Sequence, residues 1–184
     1  MKSLLLPVLL SFALASLLSA QICREVVRDA SGRIVQTIER QKQAGGTERA
    51  VTRDASGRIT GTATTRPNAG GSAHTEYRDA SGRITGTAST RPTTGSSSQT
   101  TYRDAGGRMT GSADTSTRGS SGTRTQYRDA SGRITGSSAT SGSPSGSRTA
   151  TQRDASGRII GSSSGSGKCQ KPAPAPLPPA NAKR

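Results

Sequence analysis

Six aspartates and twelve arginines recur along this chain every 25 residues. Asp29, Asp54, Asp79, Asp104, Asp129 and Asp154 each follow one arginine directly. Each precedes a second by four residues: Arg33, Arg58, Arg83, Arg108, Arg133 and Arg158. A guanidinium matches phosphate and carboxylate groups with two parallel hydrogen bonds, so rows of arginine suit anionic partners. The same residues are wrong for other chemistry. One aspartate between two arginines is no calcium site, which needs a cluster of oxygen ligands. Carboxylates paired for acid–base work are absent.

The remaining candidates are few. His74 is the single histidine, and it reads as a solvated loop residue rather than a catalytic base. Gly161 to Cys169 superficially suggests a phosphate loop, but Ser162 stands where that loop needs glycine, and Cys169 where it needs Ser or Thr. Two cysteines and one histidine make no metal centre. The sequence therefore predicts a non-enzymatic protein with no catalytic residues, no metal and no cofactor.

Cys23 precedes the first repeat and Cys169 follows the last. In an exported chain the simplest expectation is one disulfide between them, with intermolecular pairing or free thiols as alternatives. A bridge would hold the two Cα atoms within about 7 Å. Twelve strands laid flat at ~4.8 Å each would keep the ends roughly 50 Å apart. A bridged chain must therefore curl into a hairpin ring or wind as a solenoid.

The element that positions these residues is a turn. Arg28–Ile34 reads Arg-Asp-Ala-Ser-Gly-Arg-Ile and returns at residues 53–59, 78–84, 103–109, 128–134 and 153–159, with Gly106 and Met109 the only changes. Aspartate favours the first position of a type I turn, and glycine three residues later supplies a left-handed position, giving a hairpin with a G1 bulge. In the third repeat this register pairs Asp79 with Arg83 as a cross-strand ion pair, Arg78 with Ile84, and Tyr77 with Thr85. Thr75, Tyr77, Thr85 and Thr87 have strand propensity. Arg66-Pro67 and Arg91-Pro92 read as loops between hairpins. No helix is expected after residue 20.

Composition limits what such repeats can build. The 184 residues carry a formal charge of +15, no tryptophan and 2% aromatics. From residue 21 onward there are eight Ile, four Val, one Leu and no Phe, too few for a conventional globular core. One Ile and one Tyr contribute about 1.5–3 kcal/mol each, against about 25–50 kcal/mol to order 25 residues. Contacts between repeats must supply the rest, and a largely disordered array with transient hairpins is the alternative. Val26, Val27, Val35 and Ile38 in the first repeat and Ile159-Ile160 in the last suggest caps at the two ends.

Residues 1–20 have the layout of a secretory signal: Lys2, an apolar run from Leu4 to Leu18, then Ser19-Ala20. Residues 21–160 form the repeat region. Residues 161–184 read as a Ser/Gly linker followed by a proline-rich basic tail, disordered. No other segment could cross a bilayer, and the mature chain is expected to be periplasmic or extracellular. The fold class expected is all-β, an array of six 25-residue β-hairpin repeats, either a curled meander or solenoid-like.

The cores Asp54–Thr60 and Tyr77–Thr85 resemble the RHS/YD repeats of bacterial surface and secreted proteins, whose hairpins read Tyr-Asp-x-x-Gly-Arg-Leu. Asp, Gly and Arg are in register with that family. Tyr77 stands one place early, which puts its side chain on the opposite face. The resemblance implies β-hairpin repeats, an exported bacterial protein and carbohydrate contact. It does not imply the family's toxin-enclosing role, since no toxin domain follows.

The function expected is a structural or adhesive role at the bacterial envelope or outside the cell, with rows of Arg and Thr/Ser presented on hairpins. The alternative is a cationic binder of anionic polymers such as polysaccharide, lipopolysaccharide or nucleic acid. Nucleic acid is disfavoured because Tyr77, Tyr102 and Tyr127 offer little stacking surface.

Overall fold

The computed structural model describes residues 22–119, 122–142 and 146–166. They form twelve strands: β1 (Ile22–Asp29), β2 (Ile34–Lys42), β3 (Glu48–Asp54), β4 (Ile59–Pro67), β5 (Ala73–Asp79), β6 (Ile84–Pro92), β7 (Ser97–Asp104), β8 (Met109–Arg118), β9 (Gly122–Asp129), β10 (Ile134–Gly142), β11 (Arg148–Asp154) and β12 (Ile159–Ser166). Each strand pairs antiparallel with its neighbours in sequence, and β12 returns to pair with β1. The array is a closed barrel, a more specific arrangement than the curled meander or solenoid expected. Closure leaves no strand edge exposed, which is how an all-β chain avoids open-ended pairing.

Several finer expectations change. Residues 161–166, expected in a linker, belong to β12, and Ser163 pairs with Val27 across the closing seam. The first and last repeats therefore meet each other instead of capping two ends. Pro67 and Pro92 terminate β4 and β6 rather than lying in loops, positions where a missing N–H costs nothing in the ladder. Among the described residues the only helical pieces are two 3-10 turns, Ala44–Gly46 and Ala69–Gly71. The expected signal segment and most of the expected tail lie outside the described residues.

All six Asp-x-x-Gly turns follow the expected geometry. In the third repeat the Asp79 amide donates to the Arg83 carbonyl, and the Gly82 amide donates to the Asp79 carbonyl. The turn glycines have φ between 81° and 86°, the left-handed region that side chains resist. The next step differs from expectation. Tyr77 pairs with Gly86, not Thr85, because a second bulge leaves Thr85 without a partner. The same shift recurs between Thr52 and Arg53, Tyr102 and Arg103, and Gln152 and Arg153.

That bulge decides which residues of the returning strand beyond the isoleucine are inside. The tyrosine faces inward, while the arginine after it and the isoleucine opposite, Arg78 and Ile84, both face outward. The expected pairing already set Ile84 opposite Arg78; what the bulge changes is that Gly86 and Ala88 face inward in place of Thr85 and Thr87. Ile84 is 38% exposed and Tyr102 only 4%.

The core is built of small residues around three tyrosines. Tyr77 lies between Ala63 and Gly86, Tyr102 between Ala88 and Gly111, and Tyr127 between Ala113 and Gly136. Alanine and glycine on either side leave room for the rings, which gather with Ala88 and Ala113 in one cluster. The next layer is threonine. Hydroxyl pairs Thr65–Thr75, Thr90–Thr100 and Thr115–Thr125 meet at 2.8–2.9 Å, so each buried hydroxyl has a partner. In the remaining repeats Val27, Thr52 and Gln152 occupy the tyrosine position. A barrel with few aliphatic residues is thus filled by tyrosine on one arc of its wall and smaller groups on the other.

A candidate rim of arginine and isoleucine

An up-and-down barrel places every second connection at the same end. All six Asp-x-x-Gly turns join an odd strand to the next even one, so all six stand on one rim. Asp29, Arg33, Asp54, Arg58, Asp79, Arg83, Asp104, Arg108, Asp129, Arg133, Asp154 and Arg158 are brought together there. At ~4.8 Å per strand and the usual tilt, the perimeter is roughly 75 Å, with about 12 Å between neighbouring turns.

The two arginines of each turn do different things. The first is tied down: Nη1 of Arg28, Arg53, Arg78, Arg103, Arg128 and Arg153 donates to the carbonyl of its own turn glycine at 2.7–3.1 Å. The second is held only by its backbone. The amides of Arg33, Arg58, Arg83, Arg108, Arg133 and Arg158 donate to the turn aspartate's Oδ1 at 2.9–3.0 Å. The expected Asp–Arg ion pair takes this form instead. No guanidinium of these six makes a hydrogen bond or ion pair among the described residues, and all six residues are exposed.

The aspartate carboxylate is occupied by the turn. In four repeats Oδ1 also accepts from the serine hydroxyl at 2.7 Å, as with Ser81 on Asp79. That hydroxyl bond, with the backbone N–H bonds and the nearby guanidinium, holds Asp54, Asp79, Asp129 and Asp154 below the usual aspartate range. The carboxylates stay ionised and turned into the loop. Each turn therefore presents one free cation outward.

Apolar side chains share this rim. Ile34, Ile59, Ile84, Met109, Ile134 and Ile159 stand opposite the tied arginines and are 38–46% exposed. Val35 and Ile160 add two more at the same level. Sequence reasoning counted one isoleucine per repeat toward the stability of the array and did not foresee an apolar rim. A mark of the strand's irregular start is the glycine two residues later. A Cβ on Gly61, Gly86, Gly136 or Gly161 would meet a neighbouring strand's arginine carbonyl at 2.5–2.7 Å, the close approach that a bulge creates.

A second polar cluster was also missed. Arg40 lies inside the barrel, 8% exposed, with its guanidinium 3.4 Å from both Glu25 and Glu48. Its Nε has no partner. Threonine holds the corresponding place in the next four repeats, at Thr65, Thr90, Thr115 and Thr140. That break in the pattern was the available clue. Burial pushes the Tyr77 phenol up to about 12, with Arg40 opposing, and raises Tyr102 and Tyr127 as well.

His74, expected in a loop, lies instead on β5, where it faces outward opposite Arg66. Cys23 is buried at the start of β1, on the inner face beside Arg40. Cys169 lies outside the described residues. Among the described residues no three His, Cys, Asp or Glu side chains gather to hold a metal ion, and no helix is long and apolar enough to cross a membrane. The outer face at mid-height carries Glu76, Ser89, Asp114 and Gln126, unlike the apolar band of a membrane-crossing barrel. Comparison with known proteins finds no matching family model, no matching curated protein and no matching solved structure.

Proposed function

We propose that this chain is a non-enzymatic, exported adhesive protein that uses its barrel as a rigid scaffold and its rim as a binding surface for anionic envelope or extracellular polymers. The observation that carries this reading is the ring of six exposed, unbonded guanidinium groups at one end. Six like charges at fixed spacing repel one another and gain from a partner that neutralises them together. A polymer bearing repeated carboxylates, sulfates or phosphates fits that requirement through many weak contacts at once. The Thr62, Thr87 and Ser112 side chains, directly beside Arg78, Arg103 and Arg128, add hydroxyls suited to sugars.

Export is supported by residues 1–20, with their positive start and apolar run. The likeness of the hairpin cores to RHS/YD repeats points to a bacterial surface or secreted setting. A bridge from Cys23 to Cys169 would lock the β1–β12 seam and suits an oxidising compartment. Nucleic acid fits less well. The tyrosines that would stack on bases are turned inward, Tyr102 being 4% exposed.

Retention on heparin resin tests this reading. The chain should bind at low salt and elute as salt rises, because exposed charges are screened beyond a Debye length of about 8 Å at physiological ionic strength. Retention that does not change between low and high salt would refute it.

A further inference from the structure

We propose that the rim docks end-on to an anionic lipid bilayer, with the guanidinium groups on the headgroup phosphates and the neighbouring isoleucines at the acyl boundary. This rests on the reading of the rim as an anion-binding surface and names its partner.

Three observations lead there. The first is where the exposed apolar residues are. Of the nine large hydrophobic side chains that stand exposed among the described residues, eight belong to the turn end: Ile34, Val35, Ile59, Ile84, Met109, Ile134, Ile159 and Ile160. Scattered exposed apolar residues need no explanation, but a closed ring of them does. A hydrophilic polyanion would use the arginines and leave this ring in water.

The second is that the core does not require them. Pairing with an outward-facing arginine turns Ile34, Ile59, Ile84, Met109, Ile134 and Ile159 outward, so a polar strand-former would satisfy the backbone equally well. Even so, all six repeats carry Ile or Met there.

The third is their adjacency. The free arginine sits in the turn, and the isoleucine is the next residue along, at the first position of the returning strand. Cation and apolar side chain are therefore neighbours at the same end in every repeat. The long arginine stem can carry its guanidinium back to headgroup level while the isoleucine beside it meets the acyl boundary. Because all six turns project from one end, the whole ring can meet a plane at once. The polar outer wall stays in water, so this is docking and not insertion.

The test uses the purified chain with its N-terminus determined, and vesicles of phosphatidylglycerol or of phosphatidylcholine. The chain has no tryptophan, so Met109→Trp places a single reporter on the rim. The expected result is flotation with phosphatidylglycerol vesicles and at least tenfold weaker flotation with phosphatidylcholine. The reporter's emission should shift to the blue and be quenched by brominated acyl chains, a signal that the apolar stretch Leu4–Leu18 cannot produce. The variant with Ile59→Ser, Ile84→Ser and Ile134→Ser, shown folded by circular dichroism, should lose vesicle binding tenfold and keep its heparin retention. Heparin retention without vesicle binding would overturn the lipid inference alone. Failure on both would overturn the anion-binding reading too. Flotation with no change at the Met109→Trp reporter would place the contact elsewhere and overturn the inference.

Discussion

Gly86 runs so close to Arg103 that a Cβ on it would lie 2.5 Å from the arginine's carbonyl oxygen. Backbone cannot yield there as a flexible side chain could. Gly86→Ala should therefore destabilise the barrel by about 1–3 kcal/mol, the usual cost of overpacking, although glycine-to-alanine changes in strands are often favourable. Urea unfolding checks it. An unchanged midpoint would mean that β6 and β7 do not approach at Gly86 and Arg103 as the structure has them.

Among the described residues Arg40 is the one guanidinium shared by two carboxylates inside the barrel. Arg40→Ala would leave the half-buried Glu25 and Glu48 without a cation and should cost about 3 kcal/mol. Replacing all three together, with Arg40→Met, Glu25→Gln and Glu48→Gln, should cost less than the single change. If equilibrium unfolding gives the opposite order, the pair of ion contacts is not what the interior depends on.

The turn aspartates set the acid limit. Asp54, Asp79, Asp129 and Asp154 are held below the ordinary value of 3.8, first by the serine hydroxyl and then by backbone N–H bonds. A lowered folded value means that their contribution is complete above about pH 4 and is lost as pH falls through the folded value. Melting temperature should hold steady from about pH 7 to 5 and drop below about pH 4. A flat profile down to about pH 2 would contradict this.

The tyrosines set the alkaline limit with the opposite sign. Burial raises the Tyr77 phenol to about 12, so its contribution is intact below about pH 10 and lost as pH climbs toward 12. Tyrosinate absorbance should rise together with unfolding. Ionisation of all three phenols at about pH 10, with the barrel still folded, would show them to be in water.

Much of this fold was legible in residues 28–34 and their five repeats. Asp, Gly and the 25-residue period carried the turn type, the hairpins and the all-β class, because a left-handed glycine after a type I turn has few other uses. What stayed hidden had physical causes. Thr85-Gly86 gave no local sign of a second bulge, and the expected register carried Tyr77 onto Thr85 instead of Gly86. Missing that bulge put Thr87 rather than Ala88 on the inner face. Gly161–Ser166 looked like a linker because Ser and Gly have poor strand propensity. Pairing with β1 overrides that preference, and no local signal announces a partner at the far end of the chain. The twelve turn residues were found as a list with a spacing. Closure is what makes them a ring.

The central claim is that the six free arginines of that ring bind anions together. The most direct measurement is the salt dependence of heparin affinity for the chain and for the variant with Arg83→Gln, Arg108→Gln and Arg133→Gln. Each lost contact should reduce the slope of log affinity against log salt by about one. A slope shallower by about three, with an unchanged circular dichroism spectrum, is the predicted result. An identical slope in the two proteins would show that the charge on the rim is not what binds.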